Sequence, residues 1–181
     1  MHRALIWHRY HALMQLPASA KPWLLEKGSL TARLIDYSQG DFAVQRIAQY
    51  WAVPMADEAR ALGLRNREKA LIREVYLLCH GQKMVYARSI MPRQSLHGRL
   101  AFLKKLQNTS LGSLLFKDPH LSRGEFEICH IKQPHPRIHD SGKIALYGRR
   151  SVFKLYQQPI LVSEFFLPAC PLYQSDKDAT G

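Results

Sequence analysis

The sequence predicts an α+β fold from two stretches with the pattern of β-hairpins and from short helical segments placed before and between them. The C-terminal hairpin is the clearer. Residues 151–156 and 160–167 are rich in β-branched and aromatic side chains, and Gln157, Gln158 and Pro159 separate them with a residue that cannot continue a ladder. The other hairpin lies in residues 69–92, where two apolar runs flank His80, Gly81, Gln82 and Lys83.

Taken in order, residues 1–21 are basic and weakly patterned, an N-terminal arm of partial order. Pro22 opens and Gly28 stops a short helix. Ser29 is placed to cap a second helix through Tyr37, with Leu30 and Leu34 on its inner side. Residues 42–53 form a strand ended by Pro54, and the charged stretch 55–68 leads on to the first hairpin. There Leu71, Arg73, Val75 and Leu77 project together, which puts a cation in an apolar row. A planar guanidinium suits such a place because it grips a carboxylate by two parallel hydrogen bonds and stays charged when desolvated. A ligand carboxylate, Glu74 or Glu164 could each be its partner. From 95 to 107, Leu96, Leu100, Leu103 and Leu106 recur at helical spacing, with Arg99, Lys104 and Lys105 outward, as in an amphipathic packing helix. Thr109 and Ser110 then offer capping hydroxyls to a short apolar helix ending near Phe116. Residues 123–131 alternate as a strand. In the last strand Ile160, Val162, Glu164 and Phe166 share one face and Leu161, Ser163, Phe165 and Leu167 the other. Glu164 therefore lies on an apolar face whichever way the strand turns, so it is either a paired structural acid or a site residue.

The length of 181 residues suits one domain over 1–181, with 174–181 as a flexible tail. Against 26 Lys and Arg stand 14 Asp and Glu, a net charge of +12. Such a field attracts nucleic acid, an anionic surface or a small anion; without helix-turn-helix, zinc-finger or RNP-type patterns, an anionic metabolite fits best and no nucleic-acid partner is expected. Cys79, Cys129 and Cys170 lie far apart and odd in number, which predicts free thiols in a reducing compartment. No apolar run has the length of a membrane span, and His2, Arg3, His8, Arg9 and His11 interrupt any signal-peptide core, so a cytoplasmic address without stable membrane insertion is expected. Residues 132–143, rich in Pro, His and Gly, read as an exposed loop. Cys129, His130, His135, His139 and Asp140 carry metal-ligand atoms, but the prolines prevent a helix that would set His135 and His139 on one face, and no metal site is predicted.

The segments REVYLLC (73–79), GRRS (148–151) and EFFLPACPLY (164–173) resemble the chorismate lyases, the chorismate–pyruvate lyases of ubiquinone biosynthesis. WLLEKGSLTARL (23–34) and the TxLGxxLF pattern at 109–116 extend the similarity over nearly the whole of residues 23–173. The resemblance implies a single antiparallel sheet of about six strands with helices on one side and around its ends. It implies a cofactor-independent monomer that cleaves chorismate to 4-hydroxybenzoate and pyruvate. Related sensor domains of bacterial regulators share this architecture, so a non-catalytic receptor for a small aromatic acid is the alternative; about twenty residues ahead of the similar region are too few for the regulators' winged-helix domain.

Residue by residue, Arg73 matches the family arginine that grips the ring carboxylate, and Glu164 matches an acid that bonds the C4 hydroxyl and aids proton transfer. The main chain at Leu111 is expected to hydrogen-bond the ligand, and Leu30 to touch it where the family carries Met, a volume-conserving exchange. Arg88 matches a second arginine and is the candidate for the enolpyruvyl carboxylate, a task that Arg149 and Arg150 could also take from an exposed position. The helices around Leu30 and Leu111 are implied to be flaps over an enclosed site, with product inhibition and release limited by their opening.

Overall fold

A computed structural model describes residues 5–136, 138 and 144–173. Its strands in chain order are β1 (His8–Arg9), β2 (Phe42–Ala52), β3 (Ala70–Cys79), β4 (Gln82–Pro92), β5 (Leu121–Arg123), β6 (Glu127–Ile131), β7 (Leu146–Leu155) and β8 (Gln158–Phe166). The α-helices are α1 (Lys21–Leu24), α2 (Leu30–Tyr37), α3 (Ala56–Leu62) and α4 (Leu111–Leu115). The strands form one antiparallel sheet in the order β1-β6-β7-β8-β4-β3-β2, with β5 also paired to β7. The α+β expectation holds. The sheet has eight strands because β1 and β5, of two and three residues, are too short to leave a periodic signal.

Both hairpins close through two-residue turns with positive φ, His80–Gly81 at 50° and 72° and Tyr156–Gln157 at 50° and 63°. That geometry matches the twist of the flanking strands. The second turn thus falls earlier than the Gln157–Pro159 break, and Pro159 sits inside β8 opposite Lys154.

Alternation divides the sheet into two faces. Arg73, Val75 and Leu77 on β3 stand opposite Ser89, Ala87 and Val85 on β4, and Arg149 on β7 opposite Glu164 on β8. This face is covered by α1, α2, α4 and the turns between β4 and α4. Trp23, Leu24, Leu30 and Leu34 pack there on Val75, Leu77 and Phe166, and Leu100, Leu103, Leu111 and Leu115 on Leu71, Met91 and Phe153. On the reverse face α3 lays Leu62 on Ile72, Ile90 and Leu161, while Trp7 meets Phe165 with ring centroids 5.8 Å apart. The basic arm is therefore docked from Leu5 onward, with Tyr10, Met14 and Leu16 against the core.

Two expectations are corrected. Residues 95–107 are not an α-helix but two 3-10 turns, Arg93–Leu96 and Gly98–Lys105. Gly98, at φ 55°, breaks the first from the second, and the three-residue spacing of Leu100 and Leu103 keeps both buried on one side of the three-residue repeat, with Leu106 buried just past its end. Residues 123–131 are split into β5 and β6 where the Gly124 N–H donates to the Val152 carbonyl at 2.8 Å. No described helix is long and apolar enough to cross a membrane.

Candidate active site

The first residues of two short helices and the middle of the sheet enclose a chamber with about 500 Å³ of empty space, part of it open to solvent. Ser29 caps α2 by accepting from the Ala32 N–H at 3.2 Å, and Ser110 caps α4 by accepting from the Ser113 N–H at 3.2 Å. Leu30 and Leu111, one residue inside each cap, line the roof. The two helices meet directly through the hydroxyls of Thr31 and Ser110, 2.6 Å apart. Val75, Leu77, Ala87, Val162, Phe116 and Phe153 supply apolar walls.

Four ionisable side chains line this space, Arg73, Arg123, Arg149 and Glu164, which leaves a net of two positive charges. Arg73 is 1% exposed. Its Nη2 donates to the carbonyls of Gln107 (3.1 Å) and Thr109 (2.8 Å), while its buried Nε has no hydrogen-bond partner. Burial, with a smaller push from Arg46, brings its pKa down to about 10. Arg149 is satisfied instead: its Nε donates to Glu164 at 2.6 Å and its Nη1 to the carbonyls of Trp23 (2.9 Å) and Glu26 (3.0 Å). Glu164 is thus both a paired acid and a chamber residue. Arg123 donates through Nε to the Ser151 hydroxyl (3.2 Å) and through Nη1 to the Glu26 carbonyl (3.1 Å), and burial followed by repulsion from Arg149 brings its pKa to about 10.

Strand register sets the reach of the site. Arg73 faces Ser89, Ser89 faces Val162, and Glu164 lies two residues beyond Val162 on β8. Two inter-strand steps and one dipeptide repeat put the Arg73 and Glu164 backbones ~12 Å apart, and both side chains line the same space.

Arg73, Glu164, Leu111 and Leu30 are therefore brought together, and Arg88 is not. It pairs with Glu74 in the register, which turns it to the reverse face. There its Nε donates to Glu58 at 2.7 Å and its Nη1 to Glu74 at 2.7 Å and to the Tyr50 hydroxyl at 3.2 Å. Two carboxylates already engage its fork, so the expectation that it meets a ligand carboxylate is corrected. Arg149 and Arg150, expected to be exposed, are buried; Arg150 lies on the reverse face with Glu127 and Asp57. Arg123 was not anticipated at all, since nothing in its local sequence marks it. Among the described residues no three His, Cys, Asp or Glu side chains converge as metal ligands; His139 and Asp140 lie outside them.

The site is an apolar chamber over an antiparallel sheet, with a guanidinium that no described carboxylate hydrogen-bonds at one end and an arginine-bound carboxylate at the other, as in a protein that takes a small anionic molecule. The chorismate lyase family model matches residues 1–178. Proteins named "Probable chorismate pyruvate-lyase" from Aromatoleum aromaticum and Nitrosomonas europaea are 38% and 39% identical to the chain, covering 90% and 91% of it and 91% and 94% of their own lengths. The chain belongs to the chorismate lyase family. Among solved structures, the effector domain of PhnF from Mycobacterium smegmatis superposes with a TM-score of 0.55 at 14% identity, covering 78% of this chain and 89% of that one. A GntR-family regulator from Bacillus cereus does so at 0.53 and 15%, covering 71% and 92%. These two share the fold.

Proposed function

We propose that the protein converts chorismate to 4-hydroxybenzoate and pyruvate for ubiquinone biosynthesis, acting in the cytoplasm as a monomer and without a metal or organic cofactor. The observation that carries this reading is the chamber's excess of two positive charges inside apolar walls. A dianion is matched there before reaction, and a flat aromatic ring is matched after it.

The reaction breaks the ether bond at C3 and the C–H bond at C4. The C4 electron pair completes the aromatic ring, the ether pair leaves on the enolpyruvate oxygen, and a proton converts that fragment to pyruvate. Aromatisation supplies the driving force and no net redox change occurs, so the protein's task is orientation and proton movement. Arg73 holds the ring carboxylate with the donors that its two carbonyl contacts leave over. The Leu111 main chain closes on the same end. Glu164, fixed by Arg149, bonds the C4 hydroxyl and assists the C4 proton, while Leu30 packs on the ring. Product then leaves by parting α2 from α4, which makes 4-hydroxybenzoate a slow-leaving inhibitor.

Incubation of the purified protein with chorismate, without added metal, should produce 4-hydroxybenzoate absorbance. Tight 4-hydroxybenzoate binding without turnover would identify a sensor instead, and affinity for nucleic acid falling steeply with salt would identify a basic binding module.

A further inference from the structure

Chorismate carries two carboxylates, and with Arg88 on the reverse face the second has no assigned partner. Three arginines line the chamber, and they differ in what their guanidiniums already hold. Arg149 is committed to Glu164 and to backbone carbonyls. Arg73 serves one end. Arg123 reaches in from β5 with no hydrogen-bonded carboxylate among the described residues, its bonds running from Nε to Ser151 and from Nη1 to the carbonyls of Glu26 and Lys27. Among the described residues none accepts a hydrogen bond from its Nη2. The fork is held over the rings of Phe126 and Phe153, 4.0 and 4.8 Å from their centroids, which fixes its plane; Glu164 and Glu26 favour its charge from a distance, but no described carboxylate hydrogen-bonds it.

We propose that Arg123 receives the enolpyruvyl carboxylate and so distinguishes the dianionic substrate from monoanionic aromatic acids. The inference rests on the chorismate lyase reading and adds the residue that reads the substrate's second charge. A cation whose plane is already fixed and to which no acid is hydrogen-bonded binds a carboxylate with little reorganisation. After cleavage that carboxylate departs with pyruvate, so Arg123 contacts the substrate and not the ring product. Arg73 contacts both.

The test compares Arg123→Met, Arg123→Lys and Arg73→Met by kcat/KM for chorismate and by calorimetric Kd for 4-hydroxybenzoate. Loss of a charge-assisted contact lowers kcat/KM about 10- to 100-fold in Arg123→Met, with KM raised and the Kd of 4-hydroxybenzoate held within about threefold. Arg123→Lys, which keeps the charge and loses the fork, falls between, and it carries the comparison if the methionine variant does not fold. Arg73→Met weakens both ligands. Equal losses for substrate and product in the Arg123 variants, or an unchanged kcat/KM, overturn the proposal. If the wild-type protein fails to turn over chorismate, the functional reading falls; the Kd of chorismate itself, wild type against Arg123→Lys, still decides the role of Arg123.

Discussion

Arg73→Met is the sharpest probe of the chamber. The side chain is buried, its Nε lacks a partner, and its remaining contacts are two backbone carbonyls. No described carboxylate hydrogen-bonds it, so on the proposed reading the ligand's carboxylate is its acidic partner. Truncating one side of such a buried pair costs about 2–5 kcal/mol, and a value near 2.7 corresponds to a 100-fold weaker Kd for 4-hydroxybenzoate. At ligand 100 times the wild-type Kd, the wild-type fold gains about 2.7 kcal/mol, whereas the variant, then at its own Kd, gains about 0.4. For a domain of this size 1 kcal/mol moves Tm by roughly 2–4 °C. A thermal melt should therefore show a ligand shift of about 5–11 °C in the wild type and about 1 °C in the variant, with the unliganded melt as the control for folding. A variant that kept the full shift would refute the assignment of Arg73 as the carboxylate anchor.

Arg88→Met leaves Glu58 and Glu74 without their shared cation on the reverse face and should cost about 3–5 kcal/mol in urea unfolding; calorimetry on the folded protein should give an unchanged Kd for 4-hydroxybenzoate. Thr31→Val removes the 2.6 Å hydroxyl contact between α2 and α4, worth about 1 kcal/mol, and should speed 4-hydroxybenzoate release about fivefold in stopped-flow displacement; an unaltered rate would detach that contact from gating. Gly148→Ala builds a methyl 2.7 Å from Cys129 Sγ and 2.8 Å from Phe165 Cδ1, and melting should show a loss of about 1–3 kcal/mol. Burial pushes the Cys129 and Cys170 thiols up to about 12 from an ordinary 9.0. Above pH 9 the unfolded chain releases protons that the fold retains, so stability falls by up to ~1.4 kcal/mol per pH unit for each thiol. Replacing both by Ala should flatten that decline between pH 9 and 10, below the onset of Arg73 and Arg123, whose lowered pKa values act with the opposite sign from about 10 upward.

Alternation made Arg73 and Glu164 legible, because a charge inside an apolar row of a strand is visible without any knowledge of partners. Pairing was not legible. Placing the C-terminal turn at Gln157–Pro159 shifts the register, so that Arg149 no longer faces Glu164; the observed Tyr156–Gln157 turn, made by two non-glycine residues at positive φ, sets them opposite each other. Around His80–Gly81 the turn alone would set residue 88 opposite Arg73; the register shift between Leu77 and Leu78, which takes in Met84 as an extra residue, moves it opposite Glu74 and so to the other face. Arg123 was beyond reach for a different reason: its strand is three residues long, and its place in the chamber comes from pairing with β7. The 3-10 turns of residues 93–105 show the limit of spacing alone, since leucines three and four apart serve either helix type.

The connector between α1 and α2 is held by the chamber's own cations. Arg149 grips the carbonyls of Trp23 and Glu26, and Arg123 those of Glu26 and Lys27. The connector and the strands that line the chamber are thereby one mechanical unit. A substitution at Arg149 that frees Glu164 also frees the carbonyls of Trp23 and Glu26, so drift at either place is constrained by the other; if α2 opens as the proposed function requires, a tighter grip on the substrate comes with a stiffer door.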